Sequence, residues 1–520
     1  MGVTSDQRYD VVVVGAGLLG CFVARNLSRY QLKVAVLERE NDLCMGISRA
    51  NSAIVYSGAD TKPNTLKTRL TVAGNLGFGA LCADLQVPFV RCGSLMVAFG
   101  PRAEQALRYK YEQGVANGVC GLRLLDGAEA LELEPQLDPR VTLALYAPST
   151  GTVNPWELCL AAAQNAHANG VDFHFEHEVV AVAGAEVVAG AEVVAVAGAD
   201  VVAGAGAGAG YTLSCSNGAV FTARAVVNCA GLSADQVSEL VAPVSFRFKP
   251  TRGDYLVLDE AAEGFITHVI FHEPEEKGKG ATLVPTVDGN IMVGPSEEPF
   301  ELESRLHDKG HDKGDGPFCH VARPLVSFPT TTEGLAFNNL IPRQVFPKLP
   351  LEQTIRNFST LRPNIFWAHA TETGEVHISD ESISTFHIAE APGCPGFINV
   401  AGIKTPGLTC ADGIGHYVTE LVCAHLGNVE ENGCFSPVRN AVSRFSRMTQ
   451  AGDMTEGTVP FVISESLEIV CRCNKVTVAE VRQAIRGPLG ARTIDGIKRR
   501  CGTCMGRCQG GFCTYKIIKI

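Results

Sequence analysis

Apolar and polar positions alternate with different periods along this chain, and each period predicts its own element. Residues 9–39 read YDVVVVGAGLLGCFVARNLSRYQLKVAVLER. A run of four valines, residues 11–14, ends in Gly15-x-Gly17-x-x-Gly20, and apolar residues at helical spacing follow. A second apolar run, residues 34–37, stops at Glu38. The pattern predicts a strand, a glycine turn, a helix and a second strand parallel to the first.

Further along, residues 65–165 read as amphipathic helices around a strand, CGSLMVAF. Asn154-Pro155 before Trp156 and Glu157 marks a helix start, with Asn154 as cap and Pro155 in the first turn. Strand patterns recur in VDFHFEHEVVAV, FRFKPTRGDYLVLD, ITHVIFHEP and ATLVPTVDGNIMVGP. The segment GFINVAGIKTPGLTCADGIGHYVTELV predicts a strand, a turn at Gly402 with Pro406-Gly407, and a helix from Leu408. Between these, AGAEVVAGAEVVAVAGADVVAGAGAGAG repeats AGAxVVAG. Its units are too short and few for a repeat fold, so residues 181–210 are expected to elaborate one hairpin connection on the surface.

Composition narrows the classes. The 520 residues are 46% hydrophobic, enough for two to four domains with large cores. No run reaches about eighteen strongly apolar residues, so no membrane span is expected. The first residues, MGVTSDQRYD, lack the basic-then-apolar pattern of a secretory signal, and a cytoplasmic location is the expectation. Charge is uneven: residues 471–520 hold eleven Lys/Arg against Glu480 and Asp495, a local +9 on a chain of net −11. That tail lacks the interleaved aromatics of a base-stacking surface, which argues against nucleic acid. It does contain six of the nineteen cysteines, between Cys471 and Cys513, so a basic shell around thiolates fits it better. The other thirteen are scattered, mostly within apolar runs, and read as buried thiols in a reducing compartment.

The glycine turn carries the first chemistry. Gly15 makes the tight turn, Gly17 lets the backbone approach a pyrophosphate, and Gly20 lets helix and strand pack closely. The helix N-terminus offers amides and partial positive charge to phosphates. Glu38, ending the second strand, is placed to accept both hydroxyls of an adenosine ribose. Ser48, Asn51 and Ser52 follow in a small-residue loop.

With MGISRANSAIVYSGADTKPNTLKTRL beyond it, this region resembles the FAD-dependent oxidoreductases of the amino-acid-oxidase superfamily, in the branch of glycerol-3-phosphate dehydrogenases and L-2-hydroxyglutarate oxidases. The resemblance implies an α/β fold, a Rossmann-like FAD-binding domain interleaved with an antiparallel or mixed-sheet substrate domain. FAD segments are expected at about 8–80, 150–240 and 360–430, and substrate-domain segments at about 81–149 and 241–359, within residues 1–435. It further implies that the Ser48 loop wraps the pyrophosphate and reaches the flavin, with residues 51–58 near substrate. Backbone at Val179 would hold the adenine, and Ala230-Gly231 would make a second close contact. The turn bearing Gly402, Gly407, Leu408 and Thr409 would face the pyrimidine edge, with Lys404 adding positive charge there.

For the substrate, the same resemblance implies a small anionic secondary alcohol under a sheet that roofs the flavin. Arg252, Lys279 and Thr286 are candidates to bind its anion, and Arg362 in TLRPN, at a family Leu-Arg-Pro turn, is the foremost. His268 and His272, at spacing four on one strand face, are candidates for the base, although a strand histidine is more commonly a hydrogen-bonded structural residue. Asp60 stands where glycerol-3-phosphate dehydrogenases tend to carry a phosphate-binding arginine nearby, which weakens that substrate assignment. The histidines of LESRLHDKGHDKGDGPFCHVA match no ordinary zinc spacing, and no metal is expected there.

Residues 436–466 turn polar and read as a linker. Residues 467–520, with Cys471-x-Cys473 and MGRCQGGFC, resemble the bacterioferritin-associated-ferredoxin type of [2Fe-2S] domain, a small α-rich unit with cysteine ligands. Six cysteines compete for four places, and the resemblance points to Cys471, Cys473, Cys508 and Cys513. A zinc site from Cys471, Cys473, Cys501 and Cys504 is the alternative.

Together these readings imply hydride transfer from an alcohol, best glycerol 3-phosphate, to FAD, with electrons leaving singly through the cluster to a redox partner subunit or acceptor. Peripheral membrane association would come only through such a partner. The alternatives are a 2-hydroxy-acid dehydrogenase, and an electron-transfer subunit or redox sensor without its own substrate.

Overall fold

The computed structural model describes residues 7–184, 210–276, 280–300, 329–371, 375–439 and 468–520. Most of the Ala/Gly/Val repeat, Lys279, the histidines at 307, 311 and 320, and all but four residues of the expected linker lie outside the described residues.

One sheet is built on the four-valine run. Its strands follow the order Val179–Gly184, Tyr211–Cys215, Val220–Asn228, Arg8–Val14, Val34–Glu38 and Asp172–Phe175, and Cys394–Ala401 joins through Val220–Asn228. The central pairings are parallel, with Val11 beside both Val34 and Ala225. A parallel strand covered on both faces needs apolar side chains at every position, which is why the sequence shows a run and no alternation. Val11, Val12 and Val13 are fully buried. Helix Leu18–Leu27 buries nearly every residue, packed between this sheet and helices Pro155–Ala168 and Ala411–Leu426. Asn154 caps helix Pro155–Ala168 by accepting from the Trp156 and Glu157 amides, as its sequence predicts.

A second, mostly antiparallel sheet runs Glu298–Pro299, Thr251–Leu258, Ile291–Val293, Thr282–Pro285, Val269–His272, Ser94–Ala98, Leu143–Ala147 and Arg123–Asp126, with Thr354–Arg362 paired to Thr251–Leu258. One face of it covers a core around Leu95, Leu256, Ile270, Leu283 and Phe346. The other face turns Tyr255 and Phe271 toward the first sheet's glycine turns.

Helix Ala411–Leu426 starts three residues later than its sequence predicts. The Cys410 and Ala411 amides bond back to Pro406 and Leu408, so residues 406–410 form a compact turn. Helix Leu66–Asp84 presses against that turn, and a Cβ at Gly74 would lie 2.2 Å from the Thr409 carbonyl oxygen.

The C-terminal unit is a hairpin, Ile469–Cys471 with Val476–Thr477, and helices Val478–Arg486, Ile494–Cys501 and Cys513–Ile518. Thr477 and Glu480 form a reciprocal capping box. Its core, around Val470, Val476, Val481, Ile497 and Ile517, is small and includes Cys471 and Cys513. A core of that size usually needs a metal or covalent staple. Among the described residues, no helix is long and apolar enough to cross a membrane.

Candidate active site and cysteine centre

A cleft of about 690 Å³ opens between the two sheets. Gly15, Gly17, Glu38, Ser48, Asn51, Ser52, Val179, Ala230, Gly231, Gly402, Gly407 and Leu408 all line it, from segments almost four hundred residues apart. Gly20 and Thr409 do not, and act one step behind. A Cβ on Gly20 would fall 1.9 Å from the Gly15 carbonyl oxygen, so Gly20 is the price of seating the helix on the turn. Thr409 accepts the Tyr56 amide at 2.9 Å and so fixes the Tyr56 backbone.

At one end of the cleft Gly15 has φ +102°, and a Cβ there would meet the Cys229 carbonyl oxygen at 2.7 Å. The helix that follows has no side-chain cap and no acid in its first turn, which leaves its positive end toward the cleft. Ser48 Oγ accepts the Leu18 amide at 2.9 Å, tying the small-residue loop to that end. Glu38 is almost wholly buried and accepts the Ala16 amide at 2.7 Å and the Glu40 amide at 3.0 Å. Burial pushes its carboxyl up, while those two amides act in the opposite direction. Each of its oxygens keeps a lone pair for a further donor. A helix end with no acid beside it, close-packed glycines and a buried carboxylate on the second strand together suit a nucleotide cofactor with a pyrophosphate and a ribose.

The other end is cationic. Arg362 lines the cleft and pairs with Glu297 at 2.9 Å. Lys404 donates to Asn364 Oδ1 at 2.9 Å, and Lys67 completes a group of three. Burial pushes the Lys404 ammonium down, as do Lys67 and Arg362, against the opposing field of Glu297. Burial also pushes Lys67 down, against Asp60. Asp60 thus faces the cleft beside a lysine that it partly offsets. Two phenols stand near. Tyr56 stacks on Phe271 with centroids 5.9 Å apart, and Tyr255 on Phe358 at 4.7 Å. Burial raises both, so both are protonated donors at neutral pH.

Three of the candidates for catalysis are not brought to this cleft. His268 faces the buried Glu134, with Nδ1 2.8 Å from its Oε1. His272 packs edge-on to Phe99, and burial pushes its imidazole down. His272 ends strand Val269–His272 and His268 stands just before its start; Phe271 takes the cleft face, and alternation sends His272 the other way. Arg252, three positions before cleft-lining Tyr255, also lies on the far face and pairs with Glu298 at 3.0 Å. Thr286 does not line the cleft either, and its Oγ1 accepts the Asn290 amide within its own hairpin. Tyr56, Tyr255 and Lys67 were not singled out by residue type, although Tyr56 falls within residues 51–58.

In the C-terminal unit the thiols form two pairs. Cys473 Sγ lies 3.7 Å from Cys508 Sγ, and Cys504 Sγ lies 3.5 Å from Cys513 Sγ. Two thiolates on one tetrahedral metal, each about 2.3 Å from it, stand roughly 3.8 Å apart, so these separations suit ligation. Among the described residues, no three His, Cys, Asp or Glu side chains converge on a single metal position. The amides of Phe512, Gly510 and Gly511 point at Cys508 and pull its thiol down, a nest that favours thiolate. Cys471 is buried beside both pairs. Cys501 instead donates to the Ile497 carbonyl at 3.2 Å within its own helix, which takes it away from the alternative zinc set.

Comparisons with known proteins agree with this geometry. The family model described as FAD dependent oxidoreductase matches residues 10–421, and that described as BFD-like [2Fe-2S] binding domain matches residues 469–520. A glycerol 3-phosphate dehydrogenase from Caloramator mitchellensis is 36% identical over 98% of this chain and 93% of its own. An L-2-hydroxyglutarate dehydrogenase from Homo sapiens is 32% identical over 56% of this chain and 61% of its own. Among solved structures, the L-alpha-glycerophosphate oxidase of Mycoplasma pneumoniae has the same fold, with a TM-score of 0.67 at 23% identity over 84% of this chain and 99% of that one.

Proposed function

Because this chain belongs to the FAD dependent oxidoreductase family, we propose that it oxidises sn-glycerol 3-phosphate and passes the electrons through its C-terminal cysteine domain to an external one-electron acceptor. The observation that carries the substrate reading is the group of Lys67, Arg362 and Lys404 at one end of the cleft. Three cations with two phenol donors suit a phosphate dianion, with Arg362 offering a planar fork and the lysines point charges.

When bound, FAD supplies the hydride acceptor and a [2Fe-2S] cluster the one-electron carrier. The chain's own residues do the rest. The uncapped helix after Gly17 and the Ser48 loop would hold the pyrophosphate, Glu38 the ribose, and Val179 with Ala230-Gly231 the adenine side. The turn at residues 402–408 would lie along the flavin. Arg362 and the lysines would hold the substrate anion and so orient its alcohol carbon. Tyr56 and Tyr255, held protonated, would donate to the substrate's oxygens. Cys473, Cys508 and Cys513 would ligate the cluster, and the fourth place would fall to Cys471, which the family resemblance points to, or to Cys504, which the structure pairs with Cys513.

The human relative supports a second reading, L-2-hydroxyglutarate, whose two carboxylates the same cations would also hold. Anaerobic mixing of the FAD-loaded protein with glycerol 3-phosphate, L-2-hydroxyglutarate, lactate and amino acids decides between them. Flavin bleaching is expected with glycerol 3-phosphate at the lowest concentration. Bleaching by L-2-hydroxyglutarate alone would transfer the assignment, and bleaching by none would leave an electron-transfer subunit.

A further inference from the structure

The C-terminal domain meets the body at a buried carboxylate. Asp42, four residues beyond Glu38, is 2% exposed and accepts from Arg499 Nη2 at 2.7 Å, Arg500 Nη1 at 2.8 Å and Arg500 Nη2 at 2.6 Å. Both arginines lie on helix Ile494–Cys501 and are 5% and 7% exposed. Around this centre, Lys498 lies over the Trp156 ring and Gln164 donates to the Pro488 carbonyl at 2.9 Å. On the second sheet's side Arg507 pairs with Asp259 at 3.2 Å, and Arg356 reaches Gln509, next to Cys508. The seat therefore spans both sheet domains. Cleft-lining Arg49 faces Asp495 of the same C-terminal helix at 3.8 Å, so the loop that bounds the cofactor cleft also bounds the seat.

A tethered carrier that swings between donor and acceptor makes exposed, exchangeable contacts. Asp42 instead accepts three charge-assisted hydrogen bonds from two nearly buried arginines, and separating the domains breaks all of them at once. We propose that Asp42, Arg499 and Arg500 are positioning residues that hold the cysteine domain permanently on the body, beside the cleft loop, so that electrons pass between the two cofactor sites within one chain without domain motion. The inference rests on the functional reading above. The electrons balance: each alcohol oxidised gives two, the cluster takes one at a time, and two successive passages to a one-electron acceptor complete a turnover.

The test uses the full-length holoprotein and the R499Q/R500Q double variant, with R499K/R500K as the conservative partner. Hydrogen exchange should show residues 42–49 and 494–501 protected in the wild type, exposed in the glutamine variant and partly restored by lysine. Rapid anaerobic mixing with glycerol 3-phosphate should show flavin bleaching within about twofold of wild type but cluster reduction, read by paramagnetic resonance, slowed at least about tenfold. Absorbance of both cofactors certifies that the variants are folded and loaded. If glycerol 3-phosphate fails to bleach wild-type flavin, the functional reading fails alone, and photoreduction supplies the electrons so that the seat is still read. Unprotected segments in the wild type, or equal cluster reduction in the glutamine variant, would overturn the fixed seat.

Discussion

Lys404 and Asn364 are bound to each other, ammonium to amide oxygen at 2.9 Å, in the wall of the cleft next to Arg362. The bond aims a lysine already depressed by burial at the site where an anion would sit.

Replacing that lysine, K404M, removes one charged contact, typically about 1.5–3 kcal/mol. The KM for glycerol 3-phosphate is expected to rise roughly 10- to 100-fold. The pH profile carries a sharper signature. An ammonium with a depressed pKa holds its charge below that pKa and loses it as pH rises through it. Substrate affinity should therefore fall on the alkaline side, beginning below the ordinary lysine value. The alkaline rise in KM should shrink in K404M, and again in K67M.

Gly15 offers a test of the nucleotide end. Alanine there would hold φ +102° and push a Cβ to 2.7 Å from the Cys229 carbonyl oxygen. Backbone strain of this kind costs about 1–3 kcal/mol. G15A should lower the melting temperature and, more than that, the FAD content of purified protein; unchanged FAD content would remove the turn from the cofactor site.

The thiol pairs predict a separation of functions. C473S or C508S should abolish the cluster's paramagnetic signal and labile sulfide while leaving substrate-driven flavin bleaching within a few-fold of wild type. C501S should keep the cluster, since that thiol is bonded within its own helix.

Asp235 ties stability to pH. It is buried at the start of helix Ala234–Glu239, and burial pushes its carboxyl up to about 6, against Arg247 at 3.9 Å. Between about 4 and 6 the folded state keeps a proton that the unfolded chain has released. Its contribution thus falls as pH rises through that window and is flat above it, a change on the order of 2–3 kcal/mol at about 1.36 kcal/mol per unit. Urea unfolding at pH 4.5 and pH 7 should show this difference between wild type and D235N.

What the sequence disclosed and what it hid have a common cause. The turn from Gly15 to Gly20, Glu38 and the Asn154 cap are local devices, written in residues a few positions apart, and were legible. The cysteine tail was legible as a cluster, but its pairing was not: Cys504 stood outside the four expected cluster ligands, and packing places it 3.5 Å from Cys513. The histidines were misplaced because alternation tells which residues share a face and not which face meets the cleft; Phe271 took that side. Arg252 failed for the same reason and Arg362 did not, since its turn carries a family pattern. Lys67 and Tyr255 carry no local signal, and only packing brings them to Arg362. The seat on Asp42 joins residues more than 450 positions apart and has no trace in either segment alone.

The central claim is that electrons taken from glycerol 3-phosphate leave through the C-terminal cysteines. Anaerobic mixing of the holoprotein with glycerol 3-phosphate, followed at the flavin band and by paramagnetic resonance, tests it directly. Flavin bleaching followed by the signal of a reduced [2Fe-2S] cluster is the predicted result, with C473S and C508S losing turnover with one-electron acceptors. Rapid reoxidation of the flavin by oxygen alone, with turnover unchanged in those variants, would contradict it.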